Sequence, residues 1–193
     1  MSKQDFFLTL EATLDMQSLL RVRYAYRLAK DVHRNQKRKQ PDAAGDSRYF
    51  THPREVALIS MRYSLDVDLI LACLLHDTLE DGNDPRDAAE IELFLGTEVI
   101  RTVRMVSKVP KAGYHDRFSL YSDWRARWVK ACDRLHNLQT LPVDDSAFRV
   151  KQLAETVSLY LPLFSEMVGM VPSEYVRGAQ SLVAEIRRLA VGP

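Results

Sequence analysis

The sequence predicts an all-α fold, on three observations. Apolar residues recur at helical spacing through most of the 193 residues. Seven glycines and eight prolines fall mostly between those periodic segments, where such residues end helices or form turns. No stretch shows the strict alternation of a half-buried strand. Composition agrees: 46% apolar and 27% charged residues are ordinary for a globular chain. With no repeat and no composition shift, the expectation is one domain over residues 1–193, large enough to bury a sizeable core.

The elements follow in order. A short helix is expected from Phe6 to Leu14, and a longer one from Met16 to Lys37, with Leu19, Val22, Ala25, Ala29 and Val32 on its apolar stripe. Pro41, Gly45, Asp46 and Ser47 mark a loop. Thr51-His52-Pro53-Arg54-Glu55 reads as a helix start, with Thr51 as N-cap and Pro53 first or second in a helix reaching Tyr63. Asp66 opens the next helix, which runs on to a glycine stop at Gly82. Two helices follow, Arg86 to Leu95 and Glu98 to Ser107, and then a loop at Val109-Pro110. One long helix is expected from Phe118 to Leu141, ended by Pro142. Asp144 and Asp145 cap another, from Ala147 to Val168, which Pro162 should kink. Pro172 starts the last, to Leu189.

Several function classes are disfavoured. Net charge is +1, so no global field favours nucleic acid or an anionic membrane. No uncharged apolar run reaches the roughly 18–20 residues that span a bilayer. Met1-Ser2-Lys3-Gln4-Asp5 has no signal-peptide pattern. Cys73 and Cys132 lie in apolar helical stretches and read as buried thiols, which suits a reducing cytoplasm.

The chemistry concentrates in Leu71-Ala72-Cys73-Leu74-Leu75-His76-Asp77-Thr78-Leu79-Glu80-Asp81. Apolar residues demand burial, while carboxylates resist it unless paired. On one continuous helix His76 aligns with Glu80, and Asp77 with Asp81. A divalent cation relieves the repulsion and suits mixed His and carboxylate ligands. A second cluster, Val129 to Leu141, sets Asp133, Asn137 and Thr140 on one face beside apolar neighbours. His136 lies off that face and reads as structural or surface-exposed. His52, alone at a helix start, would ordinarily be a cap or surface residue; its value comes from its spacing to the other clusters.

A histidine, then His-Asp, then a distant Asp resembles the HD-domain metal-dependent phosphohydrolases. Tyr49-Phe50-Thr51-His52-Pro53, Leu75-His76-Asp77-Thr78-Leu79-Glu80-Asp81, Lys130-Ala131-Cys132-Asp133-Arg134-Leu135-His136-Asn137 and Glu155-Thr156-Val157-Ser158-Leu159-Tyr160-Leu161-Pro162-Leu163 are similar to the hydrolase domain of RelA/SpoT proteins. The similarity covers about residues 24–169. It leaves no residues for the synthetase and regulatory domains of long members, so a small alarmone hydrolase in a compact multi-helix HD bundle is expected. The resemblance implies removal of the 3′-pyrophosphate from ppGpp and pppGpp with Mn²⁺ as cofactor, although the donor set also suits Zn²⁺, Fe²⁺ or Ni²⁺.

Carried onto this chain, the family's metal ligands fall on His52, His76, Asp77 and Asp133, and its catalytic pair on Glu80 and Asp81. Its substrate-binding positions fall on Arg38, Lys39, Lys108, Asn137, Thr140 and Tyr160. Lys37-Arg38-Lys39 also suits a solvated basic run, and Tyr160 also suits core packing. The chain departs from the family pattern in a longer Gln40–Arg48 loop, in Gly82, in Cys132 before the ligating Asp, and in Trp124 and Trp128. Two other readings stand beside the first. One is an HD phosphohydrolase acting on an adenine alarmone or NADPH; the other is a module that binds nucleotide without turnover. A small-molecule nucleotide is the expected partner, with neither nucleic acid nor membrane.

Overall fold

The structure of the chain, a computed structural model, describes residues 3–37, 47–81, 86–142 and 145–192, with only the backbone of Lys3, Asp81, Arg86 and Asp87. The described residues fold into α-helices joined by short connections. They are α1 (Lys3–Glu11), α2 (Met16–Val32), α3 (Thr51–Met61), α4 (Val67–Leu75), α5 (Thr78–Asp81), α6 (Arg86–Leu95), α7 (Thr97–Val106), α8 (Tyr114–Tyr121), α9 (Trp124–Gln139), α10 (Ser146–Glu155), α11 (Leu161–Met170) and α12 (Val176–Val191). An isolated antiparallel bridge joins Lys37 to Arg48. No helix of the described residues is long and apolar enough to cross a membrane.

The centre of the fold is α4. Leu69 through Leu75 are fully buried, enclosed by α2, α3, α7 and α9. Burying a Leu or Ile side chain is worth about 1.5–3 kcal/mol, so this segment fixes where the neighbouring helices lie. Asp66 caps it by accepting the Leu69 N–H at 2.9 Å. Around it, Phe6, Phe7, Tyr26 and Phe50 stack at 4.7–5.7 Å and dock α1 onto α2 and the start of α3. At the other side α12 packs on α9. A Cβ at Gly178 would sit 2.5 Å from the Tyr63 carbonyl and 3.0 Å from the Trp128 ring, so this approach requires glycine.

Four expected elements differ in detail. Thr51 does not cap α3: it is the first helical residue, Phe50 holds the cap position without a side-chain bond, and Thr51 Oγ1 donates to the Arg48 carbonyl. Pro53 is therefore third. The helix through His76 is interrupted after Leu75. His76 Nδ1 donates to the Cys73 carbonyl at 2.9 Å, the same acceptor a continuing helix would give to the Asp77 N–H, and the chain restarts with Glu80 N–H on Asp77 O. The long Phe118–Leu141 helix is two, because Asp123 caps α9 through the Ala126 N–H at 2.9 Å. α2 stops at Val32, short of the expected Lys37.

The expected kink near Pro162 takes the form of a π-helical turn over Thr156–Tyr160. The Leu161 N–H reaches back five residues to the Thr156 carbonyl. Proline lacks the N–H that would continue the regular ladder. Gly82 and Asp144 lie outside the described residues.

Candidate functional site

Three regions converge. His52 comes from the first turn of α3. His76 and Asp77 occupy the two-residue break between α4 and α5. Asp133 comes from the third turn of α9. His52, His76 and Asp77 present ligand atoms within 4.8 Å of one another. Asp133 Oδ1 lies 3.2 Å from His52 Nε2 and 3.8 Å from His76 Nε2. Asp77 Oδ2 lies 3.2 Å from His76 Nε2 and 3.7 Å from His52 Nε2. All four side chains are buried.

This arrangement fits a divalent cation. His76 Nε2 is buried without a hydrogen-bond partner, while its Nδ1–H is taken by the Cys73 carbonyl. Nδ1 therefore keeps its proton on that carbonyl, and Nε2, the nitrogen facing the carboxylates, is the one that can give up its proton and offer a lone pair to a cation. Two imidazoles and two carboxylates form the mixed N/O set that divalent metals accept.

The electrostatics show the strain of leaving such groups together. Burial pushes His52 below the ordinary histidine range, against the pull of Asp133. Burial also opposes charge on His76, yet Asp77 and then Asp133 outweigh it and hold His76 at about 9. Both carboxylates resist the upward push of burial. Asp77 is lowered by His76, and Asp133 by Lys130 and then His52. The set thus carries two carboxylates against one imidazolium.

Neighbouring side chains hold these groups in place. The Tyr49 hydroxyl donates to Asp77 Oδ2 at 2.6 Å. Lys130 Nζ donates to Asp133 Oδ2 at 2.8 Å, and Asn137 Nδ2 to Asp133 Oδ1 at 2.7 Å. His136, buried and not surface-exposed, sets its Nδ1 2.8 Å from His52 Nδ1.

The cluster opens on a cavity of about 480 Å³ whose lining includes Lys108, His115, Lys130, Arg134, Asn137, Thr140 and Tyr160. Four of these side chains are basic. Glu80 lines the same cavity: its Oε1 accepts the Lys108 N–H at 2.8 Å, and Lys108 Nζ lies 3.4 Å from Oε2. Tyr160 is both core and cavity wall, 2% exposed, with the Arg134 guanidinium 4.3 Å over its ring. Arg134 is itself fixed by Gln152 at 2.6 Å and Glu155 at 2.9 Å.

The structure brings together His52, His76, Asp77, Asp133, Glu80, Lys108, Asn137, Thr140 and Tyr160 of the sequence-derived set. Arg38 and Lys39, the Asp81 side chain and most of the Gln40–Arg48 loop lie outside the described residues. Sequence reasoning gave no role to Tyr49, His115, Arg134, Phe148 or Gln152, which also line the cavity. For Tyr49 a signal existed, since it begins the segment that carries His52. For the others, spacing gave none, because they meet the site only through tertiary packing.

Comparison with known proteins fits this geometry. The sequence pattern of the HD domain matches residues 25–117. The chain is 34% identical over 186 residues to the GTP pyrophosphokinase rsh of Brucella melitensis, covering 90% of this chain and 22% of that protein. It is 31% identical over 166 residues to the bifunctional (p)ppGpp synthase/hydrolase SpoT of Escherichia coli K12, covering 80% and 23%. The chain thus spans under a quarter of the length of these curated relatives. A solved structure, described as a metazoan ortholog of SpoT that hydrolyses ppGpp, superposes with a TM-score of 0.60 at 23% identity, over 93% of this chain and 98% of that one. That likeness bears on the fold.

Proposed function

We propose that this chain, which carries an HD domain and is homologous to the RelA/SpoT family, hydrolyses the 3′-pyrophosphate of guanosine alarmones. Water and ppGpp or pppGpp give GDP or GTP and pyrophosphate. The observation that carries the reading is one cavity holding both a buried His–Asp cluster and a basic wall. A polyphosphate needs both: cationic side chains to bind it, and a divalent ion at the phosphorus that reacts.

His52, His76, Asp77 and Asp133 would hold the ion, with Mn²⁺ as the assignment that the family resemblance favours. When bound, the ion supplies Lewis acidity at the reacting phosphoryl group and at the attacking water. The protein residues do the rest. Glu80 and Asp81 are the proposed proton-transfer pair: a carboxylate takes the proton of the attacking water, and the 3′-oxygen leaves and regains a proton. Lys108 both orients Glu80 and offers charge to the phosphates. Asn137, Thr140 and Tyr160 are proposed to orient the nucleotide along α9 and the π-turn, with Arg38 and Lys39 at the base. Arg134, held by Gln152 and Glu155, keeps its charge beside the phosphates without collapsing onto the metal ligands. We infer a cytoplasmic location and a free nucleotide as partner.

The test is incubation of the purified chain with ppGpp and Mn²⁺, with products separated by anion-exchange chromatography. Stoichiometric GDP and pyrophosphate, abolished by EDTA and by Asp77→Ala, is the expected result. Free phosphate as the product, or turnover that persists in Asp77→Ala, would overturn the reading.

A further inference from the structure

Each of the four candidate ligands has a partner on the side away from the cavity or beside it. His76 has the Cys73 carbonyl, Asp77 has Tyr49, and Asp133 has Lys130 and Asn137. The partner of His52 is a second imidazole. We propose that His136 is a positioning residue that accepts the Nδ1–H of His52 and so keeps the Nε2 lone pair of His52 available to the metal. This inference rests on the metal-site reading above.

The geometry restricts the choices. The two Nδ1 atoms are 2.8 Å apart, with ring centroids at 4.8 Å and planes tilted by 45°. An N···N contact of that length has a proton between the atoms, so one ring donates and the other accepts. If His136 donated, a neutral His52 would carry its own proton on Nε2, the atom that faces Asp77 and Asp133. That arrangement blocks ligation. If His52 donates, its Nε2 is bare and His136 carries its proton on Nε2.

A pull in the wrong direction is present. Asp133 Oδ1, 3.2 Å from His52 Nε2, rewards a proton on Nε2. His136 opposes it by offering an acceptor to Nδ1. The contact is buried, with His52 4% and His136 6% exposed, so water is a poor substitute. His136 also stands apart from the substrate cavity: it lines a separate recess with Thr9, Glu55 and Gln139. Its contact with His52 is the link by which it reaches the site. α9 thus supplies one candidate ligand, Asp133, and three residues later the partner behind another.

The experiment titrates the purified full-length chain with Co²⁺ and follows the visible absorption of the bound ion. His136→Leu, with an unchanged far-ultraviolet spectrum and a retained cooperative melt, is expected to bind Co²⁺ about 10–100-fold more weakly than the native chain. His136→Asn places an amide oxygen near the lost Nδ1 and is expected to restore most of that affinity. A folded His136→Leu chain with native Co²⁺ affinity overturns the proposal. So does an equal loss in both variants, which would mark simple packing.

If His136→Leu does not fold, ¹⁵N imidazole shifts of the Zn²⁺-loaded native chain decide. A protonated Nδ1 on His52 supports the proposal, and a protonated Nδ1 on His136 overturns it. A native chain that binds no Co²⁺ removes the metal-site reading and this one together. Co²⁺ binding that depends on His136 in a chain that cleaves no alarmone supports this inference and overturns only the activity.

Discussion

α4 and α9 are the two most deeply buried helices near the site, and they achieve burial in opposite ways. From Leu69 to Leu75, α4 is apolar throughout and asks nothing of its surroundings but close packing. α9 buries Arg127, Lys130, Asp133, Arg134 and His136 among its apolar residues. Three of these are matched from outside the helix, Arg127 by Ser122, Leu163 O and Glu166, Arg134 by Gln152 and Glu155, and His136 by His52, while Lys130 and Asp133 pair with each other within α9. The lesson is that an apolar helix can deliver catalytic groups only at its end. A helix crossed by buried polar pairs can deliver them along its length, provided every partner arrives.

The largest effect expected from breaking this comparison is catalytic. Asp133→Asn removes a charged donor from the middle of α9 while keeping its shape. ppGpp hydrolysis should fall by at least about a thousandfold, roughly 4 kcal/mol of transition-state stabilisation, as measured by steady-state rates at saturating Mn²⁺. A drop of less than tenfold would place Asp133 outside the metal set.

Stability should separate the helices next. Lys130→Met leaves Asp133 buried without its ammonium partner. The ion-free chain should lose about 3–5 kcal/mol by urea unfolding, and added Mn²⁺ should recover part of the loss by neutralising the same carboxylate. Leu74→Ala in α4 should cost about 2–5 kcal/mol through the cavity it leaves. For that variant, Mn²⁺ should add only what it adds to the native chain. Equal recovery in both variants would erase the distinction drawn between α4 and α9.

The smallest effect is on pH. In the ion-free chain His76 is protonated up to about 9, mainly because the pull of Asp77 exceeds the cost of burial. A cation must displace that proton. The carboxylates are already ionised, and His52, lowered by burial, is already neutral. Mn²⁺ affinity should therefore rise about one log unit per pH unit below that value, as required when binding releases one proton. Free Mn²⁺ followed by electron paramagnetic resonance between about pH 6.5 and 8.5 reads this slope. A flat profile would mean that His76 enters the site unprotonated.

The same contrast explains what was legible in the sequence. α4 and its terminal His76-Asp77 stood out because an apolar run meeting ionisable groups is locally anomalous. The distance from His52 to Asp133 became meaningful only through resemblance to a known pattern. The break after Leu75 was hidden, because it depends on the His76 ring taking the Cys73 carbonyl, which residue spacing does not encode. The division of one expected helix into α8 and α9 was visible in principle, since Ser122-Asp123 is a capping signal set within an apolar pattern that suggested continuity. His136 was legible as a residue off the Asp133 face, but its burial against His52 is a tertiary fact. Arg134, Gln152 and Phe148 likewise acquire meaning only where α9, α10 and the π-turn close on one cavity.

The central claim is that the end of α4, the start of α3 and the middle of α9 close around one divalent ion. Crystals of the chain grown with Mn²⁺, with diffraction recorded at wavelengths on either side of the manganese absorption edge, test it directly. The account predicts one strong anomalous peak with His52 Nε2, His76 Nε2 and oxygens of Asp77 and Asp133 within about 2.3 Å. A fully occupied peak elsewhere, or a peak that reaches Asp77 without either histidine, would contradict it.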